Sequence, residues 1–333
     1  MILISFGTRP EYIKIKPIIE QLNIPYKLAF TGQHEDLLHE TVSKEKTIHR
    51  MFIKNGNNRL DSIVSSIMNQ DEVFKDVKTV LVQGDTTSAF AVALAAFHRN
   101  IKVVHLEAGL RTYNKLQPYP EEFNRQAISR IADLHLCPTE TSKKFLLDES
   151  TQGRIEVVGN TVLDNLKGLV PTYSNKVVVT MHRRENHQQM HMWFKKINNI
   201  AKNNKHLDFI MPLHPNPNVQ KHKYLLSDLN IVEPMEYNKF VSVLAATRLV
   251  ITDSGGLQEE TSFLKKKCIV CRKQTERLEG IGTFAFMCSD PEKLEEIFNK
   301  VNSNWSIDLP CPYGDGNSAR KIVDILKEEI IKE

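Results

Sequence analysis

The segment Asp253-Ser254-Gly255-Gly256-Leu257-Gln258-Glu259-Glu260 has the residue types of an anion site. The apolar run Leu249–Thr252 reads as a strand that feeds a Gly-Gly turn and then a helix. Free N–H groups and the positive end of a helix dipole meet at such a turn, which suits a phosphate. Glycines allow close backbone approach, and Ser254 adds a hydroxyl donor. Glu260, one turn into the helix, is placed to accept from two neighbouring hydroxyls of a ribose. The plainer reading is a glycine turn with a serine helix cap.

Similar clusters close the other apolar runs. They are Gly7-Thr8-Arg9-Pro10-Glu11, Gly84-Asp85-Thr86-Thr87, His105 to Arg111, His182-Arg183-Arg184-Glu185 and His214-Pro215-Asn216-Pro217. Loop polarity explains any one of them and explains six poorly, whereas a ligand cleft requires them together. Arg9 can reach a diphosphate in fork geometry, and Lys14 lies one turn into the same helix. A surface loop with a stray arginine is the alternative for that segment. Asp85, Glu107 and Glu121 follow strands or open a helix in one half of the chain. Carboxylates that crowd each other raise a pKa and supply a usable acid or base. Glu121 and Arg125 are four apart and share a helix face, which the bland account makes a surface ion pair. His182 suits an acid, a base or a phosphate contact, or else a hydrogen-bonded structural role. His187 and His191 have ligand spacing on a helix, but no third ligand is evident and HExxH is absent, so no metal is expected.

These residues need a scaffold that brings strand ends together. Short β-rich runs alternate with helical ones from Ile2–Phe6 onward, the pattern of parallel sheets covered on both faces. The alternation breaks near Gly168–Asn175 and restarts at Lys176. We therefore expect an α/β fold of two domains, residues 1–168 with the carboxylates and residues 176–316 with the phosphate turn, and a terminal helix in 317–333 that packs back on the first. Two such domains place a ligand in the cleft between them, at the carboxyl ends of the strands.

Bulk properties narrow the function. A chain of 333 residues is long enough for two domains and a substantial core. A net charge of +4 argues against a nucleic-acid protein driven by charge. No apolar run approaches the roughly 18 residues of a membrane span, and the start, Met1-Ile-Leu-Ile-Ser-Phe6, reads as a strand and not a signal peptide. Five cysteines, odd in number and sparse, fit a reducing, cytoplasmic compartment. Cys268 and Cys271 fall in a strand-like run, on opposite faces, and read as two buried thiols.

Taken in order, GTRPEYIK, TGQHEDLL, VQGDTTS, HLEAGLRT, PYPEEFNR, GNTVLDNL, HRREN, HPNPNV, TDSGGLQEE and QTERLEG span nearly the whole chain. In these the sequence resembles the non-hydrolysing UDP-N-acetylglucosamine 2-epimerases. The resemblance implies two Rossmann-like domains of the glycosyltransferase-B type. It implies inversion at C2 of a UDP-linked 2-acetamido sugar, with no cofactor and no metal, through elimination of UDP to a glycal and its re-addition. Asp85, Glu107 and Glu121 would be the acid–base carboxylates, and His182 would act on the diphosphate or its departure. Arg9, Lys14 and Arg125 would support the anion, Ser254, Gly255 and Gly256 would bind phosphate, and Glu260 the ribose; His214 joins the substrate-binding set. Family habit also implies a homodimer. Two features depart from the family. Gln33-His34-Glu35-Asp36 changes the last residue of the Gln-His-x-Gln that many bacterial members use to bind a second UDP-GlcNAc, and Leu278 replaces the usual proline of Thr-Glu-Arg-Pro-Glu. Such drift fits a UDP-2-acetamido-6-deoxy-L-hexosamine as an alternative substrate. A glycosyltransferase of the same fold and a non-catalytic UDP-sugar sensor are the competing functions.

Overall fold

The structure, a computed structural model, describes residues 1–33, 48–54 and 56–331. His34, Glu35 and Asp36 lie outside the described residues. The chain divides into two compact units, residues 1–165 with 314–333, and residues 166–313.

Unit 1 is built on one sheet. Its strands are β1 (Ile2–Phe6), β2 (Tyr26–Phe30), β3 (Ile48–Arg50), β4 (Thr79–Gln83), β5 (Lys102–Leu106), β6 (Leu134–Cys137) and β7 (Arg154–Val157). Their spatial order is β3-β2-β1-β4-β5-β6-β7, and every pairing is parallel. Strands buried on both faces are apolar almost without interruption, as in Ile2–Phe6 and Thr79–Gln83. Alternation still sorts them: Ile2, Ile4 and Phe6 enter one apolar cluster, and Leu3 enters the other. The second cluster is closed by the alanines of the Thr87–His98 helix, small enough to let it lie close on the sheet.

The first helix, Arg9–Gln21, carries Pro17 in its interior. Proline has no N–H for the carbonyl four residues back, and the side-chain amide of Asn165 donates to that Ile13 carbonyl instead, at 2.9 Å. The last helix, Ser318–Ile331, puts Ala319, Ile322, Val323 and Leu326 into the same cluster as Ile15, Ile18 and Ile19 of the first. Its start is capped by Asp164, which accepts from the amides of Ser318 (3.2 Å) and Ala319 (2.9 Å).

Unit 2 repeats the plan. Strands β8 (Lys176–Thr180), β9 (Asp208–Pro212), β10 (Asn230–Val232), β11 (Leu249–Thr252), β12 (Lys267–Val270) and β13 (Ala285–Met287) lie in the order β10-β9-β8-β11-β12-β13, all parallel. Both orders reverse direction beside the first strand of the unit, between β1 and β4 and between β8 and β11. Ligands of doubly wound sheets bind at such a reversal, outside the carboxyl ends of the strands.

Candidate active site

In unit 1 the reversal point holds the segments after β1 and β4. Thr8 caps the Arg9–Gln21 helix, and Glu11 folds back on the same turn. The buried Glu11 carboxylate accepts from the Gly7 amide (3.0 Å), the Thr8 hydroxyl (2.7 Å) and the Thr86 hydroxyl (2.8 Å). Burial raises its pKa, and these donors pull it back. Glu11 therefore ties the turn after β1 to the turn after β4. The approach there is close: a Cβ on Gly7 would stand 2.2 Å from the Thr31 hydroxyl. Arg9 is partly exposed at the helix start and forms no hydrogen bond or ion pair among the described residues.

Glu107 is held from several sides. Lys14 Nζ stands 2.7 Å from its Oε1 and 2.5 Å from its Oε2, Asn160 donates to Oε1 at 3.2 Å, and Gln83 also donates to Oε2. Its backbone sits at φ 66°, a conformation that costs a non-glycine residue of order 1–3 kcal/mol and persists where surroundings over-determine it. Asp85 is held by Arg125, whose Nε (2.8 Å) and Nη2 (2.7 Å) converge on its Oδ2. The Asp85 carbonyl accepts from Asn124 at 2.8 Å, and the Gly84 carbonyl accepts from the buried His105 Nε2 at 2.8 Å. Burial pushes His105 down to about 3, so it is neutral and donates from Nε2. Glu121 opens the Glu121–Ser129 helix and is half-buried. Arg125, on the same helix, is buried and reaches across to Asp85.

In unit 2 the reversal point holds the segments after β8 and β11. Asp253, wholly buried, accepts from the amides of His182 (3.0 Å) and Arg183 (2.9 Å) and from the Asn186 side chain (3.0 Å). It fixes the path of the His182 loop. His182 stacks on His214, with ring centroids 5.1 Å apart and planes 15° from parallel. Burial lowers the pKa of His182 against the opposing pull of Asp253, and burial likewise lowers that of His214. Both imidazoles are neutral near pH 7, and His214 Nδ1 accepts from the Asn216 amide at 3.1 Å, which leaves the proton on Nε2.

The Ser254 amide is already taken by Thr252 Oγ1 at 2.9 Å. The next three amides, of Gly255, Gly256 and Leu257, have no acceptor among the described residues, and they open the Leu257–Phe263 helix. Consecutive open amides make an anion cradle. Behind it lies an ion network built on two buried arginines, which the sequence reading missed. Arg272 reaches Glu185 (2.9 Å) and Glu276 (3.3 Å), and Arg277 reaches Glu259 (3.1 Å) and Glu276. A Cβ on Gly255 would stand 2.8 Å from Arg277 Nη1 and 3.2 Å from Arg272 Nη1, so any side chain there would press on these guanidiniums. Glu260 accepts from the Tyr237 hydroxyl at 2.9 Å. Beside Tyr237 in the sequence, Val232, Glu233, Pro234, Met235, Glu236 and Lys239 line a cavity of about 390 Å³, also unforeseen.

His187 and His191 do not share a site: His187 Nε2 lies 3.2 Å from the His182 carbonyl, and the His191 ring lies beside His222. Among the described residues no group of three or more His, Cys, Asp or Glu could hold a metal. Cys268 and Cys271 are both buried, free thiols.

Comparison with known proteins places this geometry. The sequence model of the family described as UDP-N-acetylglucosamine 2-epimerase matches residues 17–327. The UDP-N-acetylglucosamine 2-epimerase of Neisseria meningitidis is 36% identical, with 98% of each chain covered. That of Bacillus subtilis is 37% identical, over 98% of this chain and 94% of the other. Among solved structures, UDP-GlcNAc 2-epimerase from Neisseria meningitidis bound to UDP-GlcNAc aligns at a TM-score of 0.87 and 34% identity, over 98% of this chain and 99% of that one. The fold is thus the α/β, glycosyltransferase-B type of two Rossmann-like units.

Proposed function

The chain belongs to the UDP-N-acetylglucosamine 2-epimerase family, and from that premise we propose how its residues perform C2 epimerisation of a UDP-2-acetamido sugar, UDP-GlcNAc to UDP-ManNAc. The C2 proton is removed as the C1–O bond to UDP breaks, giving a glycal and UDP. UDP then adds back to C1 while a proton arrives at C2 on the other face. The enzyme must supply proton-transfer groups, a grip on a departing diphosphate, and retention of both fragments.

Unit 1 supplies the first. The observation that carries the reading is that Asp85 and Glu107, which follow the neighbouring strands β4 and β5, are each paired with a cation of their own, Arg125 and Lys14. That arrangement orients each carboxylate and balances its charge locally. The Arg125 Nε hydrogen bond and the Nη2 ion-pair contact both fall on Asp85 Oδ2, which leaves Oδ1 to meet a proton. Glu121 completes the acid–base set, and Arg9 remains a free cation for the anion among the described residues.

Unit 2 supplies the grip. The open amides of Gly255 and Gly256 with the Ser254 hydroxyl take phosphate oxygens, and His214 Nε2–H and the neutral His182 face the developing charge on UDP. Glu260 takes the ribose diol from its bond to Tyr237, and the adjoining cavity suits the uracil. No cofactor enters this scheme.

We also infer a homodimer, supported by exposed Phe97, Tyr119 and Phe123 on unit 1, which light scattering tests. Five free cysteines support a cytoplasmic setting, and the product class supports a role in polysaccharide biosynthesis. No helix among the described residues is long and apolar enough to cross a membrane. The test of the substrate is product analysis by NMR with a panel of UDP-2-acetamido sugars. Turnover of UDP-GlcNAc to UDP-ManNAc is expected. Turnover confined to a 6-deoxy-L-hexosamine would reassign the sugar, and transfer to an acceptor without C2 inversion would overturn the reading.

A further inference from the structure

We propose that Glu122 is a positioning residue for the reaction: it fixes Arg125, and through Arg125 it fixes Asp85. The inference rests on the reading of Asp85 as a proton-transfer group. Glu122 neighbours the predicted Glu121 on the Glu121–Ser129 helix and is wholly buried. A carboxylate in that position needs donors for its lone pairs. Oε2 accepts from the Thr112 amide (3.0 Å) and from Arg125 Nη1 (3.0 Å). Oε1 accepts from the Tyr113 amide (3.0 Å) and from the Gln126 side chain (2.9 Å). The guanidinium of Arg125 is therefore gripped at one nitrogen by Glu122, while Nε and Nη2 meet Asp85. A planar group held at one corner has its opposite edge aimed. Glu122 thus sets which Asp85 oxygen is engaged and which stays open, and its own charge shares the arginine's so that Asp85 does not face a full cation alone. The two amides it also binds anchor the 112–113 turn, where Tyr113 sits at φ 57°, so that turn and the acid–base carboxylate hang from one residue.

A structural role and a positioning role predict different kinetics. Glu122→Gln keeps the volume and removes the charge. Its kcat for C2 epimerisation is expected to fall about 100-fold, the scale of a small misplacement of a reacting group, while KM and UDP affinity stay put, since the grip on UDP lies on unit 2. Combined with Arg125→Met, Glu122→Gln is expected to add nothing to the loss, because it acts through that arginine. A folded Glu122→Gln protein, judged by circular dichroism and UDP binding, with kcat within about threefold of the parent overturns the proposal. So does an independent, multiplicative loss in the double variant. If Glu122→Gln does not fold, Arg125→Lys decides: lysine keeps the charge but lacks the planar fork that spans Glu122 and Asp85 here, so lowered kcat at unchanged KM supports the bridge and retained kcat overturns it. Asp85→Asn separates the two levels. Full turnover in that variant removes the reading of Asp85 itself, whereas loss in Asp85→Asn with none in Glu122→Gln removes only the role of Glu122.

Discussion

His105 offers a prediction that joins stability to the site. The imidazole is completely buried, donates from Nε2 to the Gly84 carbonyl at 2.8 Å, and has its pKa pushed from 6.5 down to about 3 by burial. A histidine whose folded pKa is depressed takes up its proton more readily in the unfolded chain. Stability from this group is therefore full above about pH 6.5 and is lost as pH falls from there toward about 3. Each pH unit in that window costs about 1.4 kcal/mol, so between pH 8 and pH 5 His105 alone removes about 2 kcal/mol. His105→Gln keeps an N–H for Gly84 and cannot titrate. At pH 8 the variant is expected to be the less stable protein, through lost packing, and the gap should narrow by about 2 kcal/mol at pH 5. Urea unfolding followed by circular dichroism at the two pH values measures this. The difference cancels His135, His182 and His214, whose pKa values are also lowered and which both proteins share. A gap that stays constant with pH would refute the claim that His105 is buried neutral beneath the Asp85 turn.

Three further outcomes follow from the geometry. Gly255→Ala places a methyl against Arg277 and Arg272; calorimetry should show UDP affinity at least about tenfold weaker and thermal unfolding a loss of about 1–3 kcal/mol. Lys14→Met strips the ammonium from Glu107; denaturant unfolding should show about 3 kcal/mol lost and steady-state kinetics a fall in kcat, with UDP binding retained. Tyr237→Phe deletes the hydroxyl that donates to Glu260; UDP titration should show affinity lowered about fivefold, the worth of about 1 kcal/mol.

The alternation of strands and helices was legible because parallel strands buried on both faces are continuous apolar runs, and because the polar clusters that follow them are required at sheet reversals. Boundaries moved by a residue or two: the strand read at Cys268–Cys271 runs from Lys267 to Val270. Short strands such as β3 and β13, three residues each, carry too little pattern to be read. The partners of the candidate residues were less legible. Lys14 and Glu107 are 93 positions apart, and Arg125 and Asp85 are 40 apart, so nothing local announces either pair. Local spacing points to Glu121 with Arg125 on one helix face, while nothing local marks Glu122, one position on, as wholly buried. Glu11 stands in the polar cluster after the first strand, and nothing local announces that its carboxylate ties that turn to the one after β4. Of the arginines behind Gly255, Arg277 lies in the QTERLEG segment and Arg272 just before it, but their pairing with Glu185, Glu259 and Glu276 is a tertiary fact.

The central claim is that carboxylates of unit 1 move the C2 proton of a UDP-2-acetamido sugar while unit 2 keeps hold of UDP. Incubation of UDP-GlcNAc with the protein in D2O, followed by proton NMR, tests it most directly. The account predicts deuterium at C2 of both substrate and epimer, with exchange abolished by Asp85→Asn in a protein that still binds UDP. Epimer formed without deuterium at C2, or exchange that persists undiminished in Asp85→Asn, would contradict it.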